Sequence, residues 1–237
     1  MANRQFGIST RIYASQRLSR DHLRAIASYG FEVVEVAALA GHFDPSSDAA
    51  VADLQQWLAE ARLDLDAVAA PPPDGPQAWS AGALQPVEAA LFVARRIPLR
   101  VLVVPVGSAK SASKAMDRLV PTAEPLGVTI AVDSRSPSMS PIGSLVNFVE
   151  RCDVKVGIAL DFATAGKGAT LVDAIEMASE HLVAARLPAE SGTNWSDVMT
   201  TVQKVGYEAP LIIEAAGPSA LPAAQKTRER LERLFAT

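Results

Sequence analysis

Asp133, Asp161 and Glu214 have the strongest claim to chemistry, because each closes an apolar run: Thr129-Ile-Ala-Val-Asp133, Ile158-Ala-Leu-Asp161 and Leu211-Ile-Ile-Glu214. Carboxylates drawn together repel one another, and some of their pKa values rise unless a cation sits among them. Two cations suit this set. A divalent ion with oxygen ligands, Mg2+ or Mn2+, would take Asp133, Asp161 and Glu214, and three carboxylates make a weak site. Arg186, at the end of Leu182-Val-Ala-Ala-Arg186, would instead be a built-in counter-charge. The first option predicts metal-assisted chemistry, the second a metal-free pocket.

Lesser candidates surround these. Arg11 and Lys167, the latter between Gly166 and Gly168, have the chemistry to bind a substrate phosphate or carboxylate, although a lone Gly-Lys-Gly more often marks a solvated loop. Glu35 lies inside an apolar run and either faces a substrate or pairs with Arg11. His42 has no partner ligands in sequence and reads as loop packing; Trp79 reads equally well as a lid or as packing against outer helices.

Something must bring residues this far apart in sequence together. Eight short apolar, β-branched runs, 5–9, 32–37, 64–70, 100–106, 128–133, 155–161, 182–187 and 210–214, are apolar throughout rather than alternating, as buried parallel strands are. Helical spacing separates them. One helix opens at Ser19 and closes at Gly30; another opens at Asn194 and ends at Gly206. Pro121 and Pro125 predict a shortened or kinked helix within 109–126. Eight strand-helix units of about 30 residues favour a closed (β/α)8 TIM barrel of the α/β class, occupying 1–237 as a single domain. In such barrels the residues closing the strands gather at the C-terminal mouth, which is where the three acids would meet.

Composition narrows the field. A hydrophobic content of 49% and 20% charged residues are those of a globular protein rather than a disordered one. A net charge of −4 argues against nucleic-acid partners, which need clustered Lys and Arg. No apolar stretch approaches the ~20 residues of a membrane span, and the N-terminus has no signal-peptide pattern. Cys152 is the only cysteine, so no intramolecular disulfide forms and a reducing cytoplasm fits. A small-molecule substrate is the expected partner; a homo-oligomer is compatible with this composition.

The order of motifs resembles the xylose isomerase-like barrels, which include sugar isomerases and epimerases and endonuclease IV. Phe6-Gly-Ile-Ser-Thr10, Leu23-Arg-Ala-Ile-Ala-Ser-Tyr-Gly-Phe-Glu-Val-Val-Glu-Val36 and Gly41-His-Phe-Asp44 are similar to the family's opening; Ile158-Ala-Leu-Asp161, Asn194-Trp195 and Gly206–Glu214 are similar to its end. The resemblance implies one divalent metal held by Glu, Asp, His and Glu from the last four strands, falling here on Asp133, Asp161, Arg186 and Glu214. Two of these acids would double as the proton-transfer pair. Arg186 cannot ligate a cation, since guanidinium has no acceptor. Ala69, Pro105 and Thr164 also stand where the family carries His. The metal site implied is thus a degenerate one, and with three His in the chain a tri-zinc nuclease is excluded.

Two functions fit these residues. One is an isomerase or epimerase of a small sugar or related hydroxy-carbonyl compound, with Asp133 and Glu214 moving protons and Arg186, or a weak metal held with Asp161, on the enediolate oxygen. The other is a non-catalytic barrel that has lost its metal ligands and binds a small polar ligand or a protein.

Overall fold

The computed structural model describes residues 4–71, 84–106, 109–136, 141–189, 192–217 and 219–235. Its strands are β1 (Phe6–Ser9), β2 (Val33–Ala37), β3 (Asp64–Ala69), β4 (Val101–Val104), β5 (Thr129–Asp133), β6 (Gly157–Asp161), β7 (Leu182–Pro188) and β8 (Leu211–Glu214). Each expected run holds one strand, the seventh extending one residue to Pro188. All neighbours pair in parallel, and β1 closes on β8 with Gly7 opposite Ile212, giving the closed eight-stranded barrel.

The helices are α1 (Arg20–Ser28), α2 (Asp48–Ala61), α3 (Gln85–Phe92), α4 (Ala109–Ala123), α5 (Ile142–Glu150), α6 (Phe162–Ala165), α7 (Ala169–Ala178), α8 (Trp195–Lys204) and α9 (Ala220–Phe235). Their ends follow local chemistry. Asn194 accepts from the Ser196 N–H and caps α8, and Gly206 turns left-handed at φ 70° beyond its last turn. Ser19 does precede α1, but its hydroxyl makes no capping bond. Pro121 does not break α4, which runs through it to Ala123 before a 3-10 turn, Glu124–Leu126, carries Pro125. At that place Pro121 forfeits one helical bond, close to an end that frays in any case.

Two layers of core result. Outward-facing strand residues such as Val34, Val68, Leu102, Ile130 and Leu160 pack beneath the helices, all essentially without solvent exposure. The barrel interior is lined by Ala67, Ala69, Val101, Val103, Ala131, Ala159 and Ala184. Five of these seven are alanine. Barrel axes are ordinarily filled by larger branched side chains, so small residues leave volume for something else. That volume is taken by the Arg186 side chain, 1% exposed and among the largest fully buried side chains.

Two register shifts tune the strands. Asp66 is the extra residue between β2 pairings Val34–Leu65 and Glu35–Ala67; Val183 is the extra residue between Ile158–Leu182 and Ala159–Ala184. Arg100 ties both bulges together near the N-terminal end of the barrel. It grips the Asp66 carboxylate with Nε at 2.9 Å and Nη2 at 3.0 Å, and donates Nη1 to the Val183 carbonyl at 2.6 Å.

Candidate functional site

The site begins with a tight turn. Asp133 ends β5, and its Oδ1 accepts the Arg135 backbone N–H at 2.9 Å, which bends the chain back on itself. The Arg135 side chain is thereby laid over the same carboxylate, with Nε 3.1 Å from both oxygens and Nη2 2.7 Å from Oδ2. Neighbouring strands hold the turn from both sides. Ser134 Oγ accepts the Asp161 N–H at 2.8 Å, and Ser136 Oγ accepts the Val106 N–H at 2.9 Å.

From that position the guanidinium reaches the other acids. Nη1 lies 3.0 and 3.2 Å from the two oxygens of Glu214, and Nε lies 3.6 Å from Asp161 Oδ2. Asp133, Asp161 and Glu214 do converge, as the strand ends require, and Arg135 sits among them. Asp161 also caps α6 through Oδ1 to the Ala163 N–H at 2.7 Å, the ordinary role for an Asp at a strand-to-helix turn.

A second guanidinium lies beneath. Arg186 donates Nε to Glu35 Oε2 at 2.7 Å and Nη1 to Asp133 Oδ2 at 3.2 Å, and passes 3.7 Å from Glu214. Its Nη2 lies 2.6 Å from Glu35 Oε2 but off the line of a good bond, so that nitrogen has charge contact without a hydrogen bond. Ser9 Oγ donates to the other Glu35 oxygen at 3.0 Å. Glu35 therefore pairs with Arg186 rather than with Arg11, and is 1% exposed. Arg186 is equally buried, in contact with Glu35 and Asp133.

Exposure rises from this floor to the mouth: the side chains of Arg135, Glu214 and Arg11 are 21%, 22% and 30% exposed. Arg11, in the 3-10 turn after β1, stands 3.7 Å from Glu214, and its Nε is buried without a hydrogen-bond partner among the described residues. Lys167 is exposed in the turn before α7 and is not brought into the cluster. His42 is buried, its Nδ1 2.7 Å from the Gln16 carbonyl and its Nε2 3.0 Å from Thr10 Oγ1, which is loop packing. Trp79 lies outside the described residues.

Charge and burial separate the acids. Burial alone would raise the Asp133 pKa, but Arg186 and Arg135 outweigh it and hold this carboxyl below the usual range. Glu214 goes the other way: burial raises it, Arg135 opposes, and repulsion from Glu35 adds to the rise. Burial and the charge of Arg186 would both discharge Arg135; its bonds and attraction to Asp133, with the charge of Glu214, keep it a cation. Burial likewise opposes the charge of Arg186, and Glu35 and Asp133 more than restore it.

The residues present do not fit a divalent ion. Ligand oxygens must close to within about 2.0–2.6 Å of such an ion, and the space between these three carboxylates is filled by Arg135. Among the described residues, no group of three or more acid, His or Cys side chains is arranged to hold a metal. Arg135 was the residue sequence reasoning passed over. Its signal is the Asp-x-Arg spacing at the end of a strand, which allows an Asx turn to fold the guanidinium onto its own carboxylate.

Comparisons with known proteins agree on the architecture. Residues 23–237 match the family described as xylose isomerase-like TIM barrel. No curated protein matches the sequence. Solved structures similar to the chain include D-psicose 3-epimerase with D-tagatose from Clostridium cellulolyticum H10, at 15% identity and TM-score 0.78, covering 98% of this chain and 99% of that one. Another is 3-keto-D-glucoside 4-epimerase from E. coli, at 13% identity and TM-score 0.78, covering 99% and 100%. A third, a xylose isomerase-like TIM barrel protein from Mycobacterium smegmatis in complex with magnesium, has 10% identity and TM-score 0.78, covering 99% and 97%. At such identities the likeness is one of fold.

Proposed function

The chain belongs to the xylose isomerase-like TIM barrel family, and from that premise we propose that it moves a proton on a small sugar or related hydroxy-carbonyl compound at the mouth of the barrel. The similar structures named as sugar epimerases support this substrate class. Glu214 is the proton-moving group. It is the most exposed of the clustered acids, and burial raises its pKa, which makes it a stronger base than an ordinary carboxylate. Asp133, covered by two guanidiniums and with a lowered pKa, is a weak base and serves as anchor instead.

The oxygen of the substrate carbonyl faces Arg135. All three guanidinium nitrogens donate to Asp133 or Glu214, and with five N–H groups among them at least one donor is left for a developing enolate oxygen. Abstraction then runs simply: Glu214 takes the proton from the carbon beside the carbonyl, negative charge collects on the oxygen beside Arg135, and Glu214 returns the proton. Return to the adjacent carbon isomerises, provided the hydroxyl proton of the second oxygen passes to the former carbonyl oxygen as the carbonyl moves. Arg11, whose side chain is 30% exposed beside Glu214, is placed to receive a hydroxyl or carboxylate of the same substrate.

The observation that carries this reading is the juxtaposition of Glu214, raised and partly exposed, with a guanidinium fixed 3.0 Å away. Chelator-treated protein incubated in D2O with aldoses, ketoses and sugar acids should incorporate deuterium beside the carbonyl of at least one of them. Glu214→Gln should lower that rate by about 10²–10⁴-fold with the fold intact. No exchange across the panel would sink the proposal. One observation favours a second reading, a barrel that binds without turnover: each of the four carboxylates in the cluster already has a guanidinium within 3.7 Å. Saturable sugar binding without exchange would decide for it.

A further inference from the structure

We infer that Arg135 is a resident replacement for a divalent cation: a side chain of the protein occupies, permanently and by design of the β5 turn, the place between three carboxylates where an ion would otherwise be required. The inference deepens the proposed site at the mouth, but it does not depend on turnover there.

Electrostatic necessity is the first support. Arg186 and Glu35 form a buried pair that is neutral in itself. Asp133, Asp161 and Glu214 then stand together with three negative charges, and such a group does not stay ionised in a poorly solvated barrel without positive charge at contact distance. Arg135 is the one cationic side chain among the described residues that lies within 3.6 Å of all three. Arg11 adds a second positive charge at 3.7 Å from Glu214 alone.

Preorganisation is the second. A guanidinium that happened to fall on the cluster from a free loop would be held by the acids only. Arg135 is held by its backbone as well, through the Asp133 cap and the flanking serines at 134 and 136. The positive charge is therefore aimed by the turn of the backbone as well as by the acids it contacts, which is the task a bound ion performs in a metal site. A further consequence is geometric. An ion draws carboxylate oxygens to about 2.0–2.2 Å for Mg2+ or Mn2+, whereas these oxygens stand off at 2.7–3.6 Å around a flat, forked donor. Guanidinium and ion exclude one another by both space and charge.

The test is Mn2+ binding, read by electron paramagnetic resonance of free Mn2+ on chelator-treated full-length protein. The wild type should take up no stoichiometric Mn2+ at sub-millimolar concentration. Arg135→Ala should gain affinity of the order of a hundredfold, because three carboxylates lose their contact cation. Adding Asp161→Asn to Arg135→Ala should remove the gain. Arg135→Lys, which keeps the charge, should stay as metal-free as the wild type, an outcome that a merely structural role for Arg135 does not produce. If Arg135→Ala fails to fold, Arg135→Gln replaces it, with the same expectation. One Mn2+ per wild-type chain, lost on Asp161→Asn, would overturn the inference; so would folded Ala and Gln variants that bind no better than wild type. Because no arm reads catalysis, failure here is distinguishable from failure of the proton-transfer reading.

Discussion

At the residue scale, the four clustered carboxylates hold different positions, and burial combined with guanidinium contact decides which is which. Glu214 should titrate at higher pH than Asp133, measurable by carbon NMR of labelled carboxyl groups; the reverse order would show that Arg135 does not divide its charge as the distances imply. The signs on stability are opposite. Asp133, lowered in the fold, contributes stability that is present above its ordinary value of 3.8 and is lost as pH falls through its folded pKa. Glu214, raised in the fold, contributes stability that is present below 4.5 and lost as pH rises through its folded pKa. Arg186 is the deepest charge in the cluster. Arg186→Met strands Glu35 without its cation, takes one of two from Asp133, and should cost about 3–5 kcal/mol by chemical denaturation, while Arg186→Met combined with Glu35→Leu should recover much of it. Equal losses in the single and double variants would contradict the pairing. Asp133, Asp161 and Glu214 were legible in sequence because each ends an apolar run. Arg135 was marked only by the Asp-x-Arg spacing, since which of two arginines reaches the acids depends on the backbone turn that this spacing allows.

Among the elements, the β5 turn and the two bulges do the positioning. The bulge at Val183 resets β7 so that Ala184 and Arg186 line the interior, and Arg100 fastens that bulge to the one at Asp66. Arg100→Ala would leave the buried Asp66 carboxylate without its fork. A loss of about 1–3 kcal/mol is expected, at the low end because Arg100 is itself 38% exposed. Gly7 marks where β1 and β8 close the barrel. A Cβ there would meet Ile212 Cδ1 at 2.6 Å and the Val33 carbonyl oxygen at 2.9 Å, and the backbone partner cannot yield as a side-chain tip can. Gly7→Ala should therefore cost about 1–3 kcal/mol, visible as a lower thermal midpoint. Continuous apolar runs disclosed the strands almost to the residue because both faces of a barrel strand are buried. Bulges escaped notice: inserting one residue leaves such a run just as apolar.

For the whole molecule, eight strand-helix units dictated the closed barrel and the gathering of strand ends at one mouth, and both follow from chain order alone. Alanine in the barrel interior is less conspicuous in sequence, yet it is what lets a full arginine lie across the axis under the site. No helix among the described residues is long and apolar enough to cross a membrane. The fold thus supplies a rigid wall, an ionic floor formed by Glu35 and Arg186, and above it a guanidinium-centred cluster with Glu214 facing the opening. A crystal structure of chelator-treated protein soaked in Mn2+, with diffraction data collected at a wavelength giving anomalous scattering from manganese, tests that arrangement most directly. The expected result is the Arg135 fork on Asp133 and Glu214 with no anomalous peak between the carboxylates. An ordered Mn2+ bound by Asp133, Asp161 and Glu214, with Arg135 turned away, would contradict it.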